Sequence, residues 1–107
     1  MSLFTKIRRA LTVSKFKRHD LKIIETIPTE TFAIIYFQFK EKGWELTNAR
    51  GDLDVSLDSW QGKLRKGTST LVFKWNNDDE GEIAGLTRIV EGIGKDFNLT
   101  VQSFPSK

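Results

Sequence analysis

Two stretches of this 107-residue chain carry side chains suited to holding an anion. In the first, Lys6, Arg8, Arg9, Lys15, Lys17 and Arg18 stand within residues 1–19, which contain no acidic residue at all. In the second, Trp60-Gln61-Gly62-Lys63-Leu64-Arg65-Lys66-Gly67-Thr68-Ser69, three cations fall among glycines and hydroxyls after a tryptophan. Lys63, Arg65 and Lys66 suit phosphate oxygens there, and Trp60 offers a ring on which a base or sugar stacks. The plainer expectation for both stretches is a solvated helix face and a solvated hairpin tip.

Other clusters fail on spacing. Asp52, Asp54, Ser56 and Asp58 alternate as in a calcium loop, but Leu57 stands where the loop needs glycine and the distal glutamate is missing. Asn76–Glu82 (NNDDEGE) is explained by helix capping before any divalent ion. Gly92-Ile93-Gly94-Lys95-Asp96 lacks the spacing and the hydroxyl of a phosphate loop, and it lies at a helix end rather than a helix start. The lone His19 sits in a basic run with no serine–carboxylate pair placed beside it. Thr70–Trp75 lacks the aromatic signature of an RNA-recognition strand.

With no cysteine and one histidine, the chain has no disulfide, no thiolate or multi-histidine metal site and no cysteine nucleophile. No catalytic residue, metal or cofactor is expected. An enzyme with dispersed carboxylates would instead need a pocket holding two acids with raised pKa values.

The elements that must position these residues follow from periodicity. Leu3, Phe4, Ile7, Ala10 and Leu11 lie within an arc of about 120°, with Lys6, Arg8 and Arg9 outside it, so a short amphipathic helix is expected over 3–12, with Ser2 as its cap. An extended basic connector then leads to Asp20. Leu21–Ile27 reads as a β-branched strand, closed by Pro28. Phe32, Ile35, Tyr36 and Phe39 mark one helical face, and Lys40, Lys42 and Gly43 a helix stop, so 30–42 is read as helix although 31–39 consists of strand formers. Trp44–Thr47 begins a strand. Leu53, Val55 and Leu57 alternate with polar residues and predict a strand that pairs, through the basic loop, with 68–75. Ile83, Leu86, Val90, Ile93 and Phe97 predict one helix starting in NNDDEGE, and Leu99–Phe104 predicts a last strand.

That order suggests an α+β fold, a ferredoxin-like sandwich or close variant with two long helices on one face of a mostly antiparallel sheet. Residues 1–19 form a basic amphipathic N-terminal segment and 20–107 a single domain. Charge divides the same way: six basic residues come first, then eleven basic against fourteen acidic. The first segment has too short an apolar run for a secretory signal, though its acid-free amphipathic make-up is that of a presequence. The expected location is cytoplasmic. The leading functional expectation is a non-enzymatic interaction domain acting through protein association, possible as a homodimer through an uncovered apolar sheet face or an edge strand. The alternative is an anion-binding module that grips nucleic acid or an anionic membrane surface through the N-terminal helix and the 61–69 loop.

Overall fold

The computed structural model describes the backbone of residues 3–47 and 51–106, and the side chains of these from Lys6 onward. The elements run α1 (Leu3–Arg18), β1 (Leu21–Ile27), α2 (Thr29–Glu41), β2 (Glu45–Thr47), β3 (Ser59–Lys66), β4 (Ser69–Asn76), β5 (Glu80–Leu86) and α3 (Thr87–Phe97). The five strands form one antiparallel sheet in the order β1-β5-β4-β3-β2.

Alternation along the strands assigns each side chain to a face. Trp60, Gly62 and Leu64 of β3 pair with Trp75, Phe73 and Leu71 of β4, and these with Gly81, Ile83 and Gly85 of β5. All nine are buried. A bulge brings β1 into line: its register shifts between Ile24 and Ile27, with Thr26 at φ 51°, so that both isoleucines reach this face. Phe32, Ile35 and Tyr36 of α2 and Val90 and Ile93 of α3 complete one core with them. Phe32 and Tyr36 meet Phe73 edge-on, each at 5.6 Å between ring centroids. Gly81 makes the seat for Phe32, since a Cβ there would lie 2.4 Å from its ring.

The architecture is α+β with an antiparallel sheet, as expected, but the chain is not interleaved as a ferredoxin-like sandwich would be. Four strands follow one another between α2 and α3, and beyond α3 only Gln102 joins the sheet, exchanging two backbone hydrogen bonds with Ile23 at the free edge of β1. The second strand–helix–strand unit dissolves because residues 80–86 are strand rather than helix. The capping chemistry of NNDDEGE is real, yet it closes a hairpin: the Asn76 carboxamide oxygen accepts from the N–H groups of Asp78 (2.9 Å) and Asp79 (2.7 Å).

The expected strand at 53–58 is a loop. Asp54 accepts from both the N–H and the hydroxyl of Ser56, at 3.0 and 2.6 Å, and this turn takes over the backbone that a ladder would use. Val55 and Leu57 are left exposed. Conversely, the expected basic loop is strand β3, and only Gly67 and Thr68 turn it into β4.

Helix α1 runs six residues past the expected end at Thr12. Its continuation is driven by a second apolar face. Phe16 of α1 and Ile23 of β1 are both buried, yet neither belongs to the main core. Ile23 pairs with Ala84, which points away from α2 and α3, so α1 covers the second face of the sheet at its β1 end. The expected cap Ser2 lies outside the described residues, as do the side chains of Leu3 and Phe4.

Candidate functional site

Helix α1 rests on the body through Arg9, Thr12, Val13 and Phe16, the i, i+3, i+4, i+7 set that is wholly or partly shielded from solvent. Arg9 fixes it to the C-terminal segment, donating to the Pro105 carbonyl while its guanidinium stands 5.0 Å from the centre of the Phe104 ring. Seen down the helix at about 100° per residue, Ile7 and Leu11 lie roughly 160° and 200° round from Arg9. They therefore point straight out. Ile7 is 51% and Leu11 65% exposed. Ile7 and Leu11, read from the sequence as part of the helix's apolar arc, thus face solvent, and Val13 and Phe16 beyond that arc do the packing.

Around those two aliphatics, Lys6, Arg8, Lys15, Lys17 and Arg18 are exposed. Lys15, Lys17 and Arg18 occupy the last turn, where cations complement the negative end of the helix dipole. Lys6 has no such reason: it stands in the first turn, where the dipole favours acids and none is present. A shallow, open groove along one flank, lined by Ala10, Val13, Ser14, Lys17 and Arg18, runs between the outward stripe and the docked face.

The second expected anion cluster is dispersed. Trp60 is only 8% exposed, and its indole N–H donates to the Gly51 carbonyl at 3.1 Å while its ring meets Tyr36 at 5.3 Å. It presents no free face on which a ligand could stack. Lys66 Nζ donates to the Lys42 carbonyl at 2.7 Å and so closes the C-terminal end of α2. Arg65 Nε donates to the Gly67 carbonyl at 3.0 Å, and across the ladder Arg65 pairs with Glu45. Lys63 points out from the second face, in one cross-strand row with Val72, Ala84 and Ile23. It is three strands from β1, about 14 Å at 4.8 Å per strand. The two clusters share a side of the sheet but do not form one surface.

Sequence reading missed a polar cluster on the opposite face. The buried Tyr36 donates its hydroxyl to Asp52, which also binds Lys40 at 3.0 Å. The Tyr36 hydrogen bond and then Lys40 hold the Asp52 carboxyl below the usual carboxylate range. Burial first, and then Asp52, push the Tyr36 hydroxyl well above its ordinary value. Asp54 is also lowered, by the two bonds from Ser56. These contacts tie the 51–58 loop to α2. His19 is exposed at the end of α1. Among the described residues no group of three or more acidic or histidine side chains is placed to hold a metal ion, and no helix is long and apolar enough to cross a membrane.

Comparison of the chain with protein-family models, with curated proteins and with solved structures gave no match.

Proposed function

We propose that this is a non-enzymatic binding domain whose working surface is α1, used to dock on a polyanionic partner. One observation carries the reading: five exposed cations, Lys6, Arg8, Lys15, Lys17 and Arg18, surround the outward face of a helix that is anchored by its other side. No acid lies within residues 1–19 to neutralise them. Lys63 and Arg65, set back on the same side of the sheet, extend the positive field without joining the contact. A cytoplasmic setting, where the inner membrane leaflet and nucleic acids supply dense negative charge, accords with this reading.

The test uses heparin as a generic polyanion. The full chain is expected to be retained and to elute only as salt rises. Neutralising Lys6, Arg8, Lys15 and Arg18 to Gln moves elution to much lower salt. Equal elution of the two proteins would sink the proposal.

A second reading, protein association, has its own observation. Ile34 (45% exposed) and Phe37 (47% exposed) lie one turn apart on the solvent side of α2. The sheet itself gives this reading little support, because on its uncovered second face Val72 and Ala84 are set among Gln61, Lys63, Arg65 and Lys74 rather than in a continuous apolar patch. If α2 is an interface, light scattering shows an assembly that Ile34→Ser with Phe37→Ser disperses. A full chain that stays monomeric at high concentration removes self-association.

A further inference from the structure

We infer that the polyanion is the surface of an anionic lipid bilayer, with Ile7 and Leu11 inserted among the acyl chains and the flanking cations at the phosphates. The inference rests on α1 being the anion-binding surface and adds the identity of the partner. Nucleic-acid phosphates and lipid headgroups attract the same cations, so charge alone does not separate them. The centre of the face does. A helix that binds a phosphate backbone presents polar and charged side chains along its middle. Here the middle is aliphatic: Ile7 and Leu11 are the most exposed large apolar residues among those described, one helical turn apart. The cations flank them, with Lys6 and Lys17 on one flank and Arg8 and Lys15 on the other. Apolar centre and basic flanks are the arrangement of a helix lying in the plane of a membrane interface.

In sequence, Leu3 and Phe4 precede Ile7 by four and three residues and continue the same spacing. The fold does not account for Ile7 and Leu11, because the packing of α1 is already supplied by Val13 and Phe16. Trp60, the side chain best suited to stacking a base, is buried in the core, which weakens the nucleic-acid alternative further.

Flotation of the full chain with vesicles of phosphatidylcholine alone, and of phosphatidylcholine with phosphatidylglycerol, tests the inference, beside titration with duplex DNA and single-stranded RNA. The chain is expected to float with the phosphatidylglycerol vesicles and to stay behind with phosphatidylcholine alone. Ile7→Ser with Leu11→Ser alters only exposed side chains and is expected to lower partitioning by about tenfold or more while leaving retention on heparin in place. Unchanged flotation of that variant, or equal flotation with both vesicle types, overturns the inference. Binding to DNA or RNA without flotation also overturns it, yet leaves the polyanion reading standing; loss of heparin retention is the failure of that reading itself.

Discussion

Tyr36 shows how one hydroxyl organises a loop. Its ring is fully buried against Phe37, Trp60 and Phe73, and only the oxygen reaches Asp52. Replacing it with Phe keeps the packing and removes the tether, at a cost of about 1 kcal/mol at neutral pH. The pH dependence follows from the two directions of shift. Asp52 titrates lower in the fold than in the unfolded chain, so its contribution is complete above the ordinary carboxylate range and fades as pH falls through the folded value. Tyr36 titrates higher in the fold, so stability declines as pH rises above about 10. Urea midpoints of the wild type and Tyr36→Phe are therefore expected to differ at neutral pH, with the gap narrowing only as pH falls below the ordinary carboxylate range; a constant gap down to strongly acidic pH would contradict the tether. Nothing in the sequence announced this pair. Tyr36 reads as one more member of a helical apolar face, and Asp52 as the first acid of the alternating run Asp52, Asp54, Ser56 and Asp58.

At the scale of elements, α2 begins without a cap of its own, since Pro28 precedes it and offers none. Glu80 of β5 supplies the function from outside: its carboxylate accepts from the Thr29 N–H at 2.6 Å and the Thr29 hydroxyl at 3.0 Å, and that hydroxyl accepts from the Trp75 indole at 2.9 Å. Glu80→Ala is expected to lower the denaturant midpoint by the equivalent of about 1 kcal/mol and to speed amide exchange in the first turn of α2. An unchanged midpoint would mean that water serves as well.

Elements with local signals were legible: Leu21–Ile27 was read as β1, and 30–42 matches α2 within one residue at each end. The errors have physical causes. Strand β3 looked like a loop because its inward position 62 is glycine, and a Cβ there would lie 2.8 Å from the Trp60 ring and 2.9 Å from Leu46. The glycine is demanded by packing that no local pattern reveals. Residues 53–58 looked like a strand because alternation says nothing of the competing side-chain turn at Asp54. The apolar spacing from Ile83 to Phe97 runs unbroken across a strand and a helix, so period alone missed the boundary at Leu86.

Over the whole molecule, charge and cover are distributed to leave one face distinctive. Both sheet edges are blunted: β1 by the backbone bonds between Ile23 and Gln102, β2 by its length of three residues. The second sheet face is shielded by α1 at one end and is polar at the other. What remains unusual is the outward side of α1. Its residues were all in view in the sequence, but their direction was not, because a helix with apolar residues on two sides does not declare which side the body takes. Phe16 and Ile23 decide it.

The anchoring of α1 carries one more consequence. Free amphipathic peptides are unstructured in water and gain their helix only at the bilayer, so ordering entropy is subtracted from their affinity. Here Arg9, Val13 and Phe16 hold the helix in shape before any encounter. The far-UV circular dichroism of the chain is therefore expected to stay unchanged when phosphatidylglycerol vesicles are added. A rise in helical signal would show that the helix forms on contact instead. On the proposed membrane reading, Ile7 and Leu11 preorganised in this way would act as a rigid footplate: the bilayer would meet the whole domain at a fixed tilt, and the tilt would determine which of the remaining surfaces stays open to the water phase.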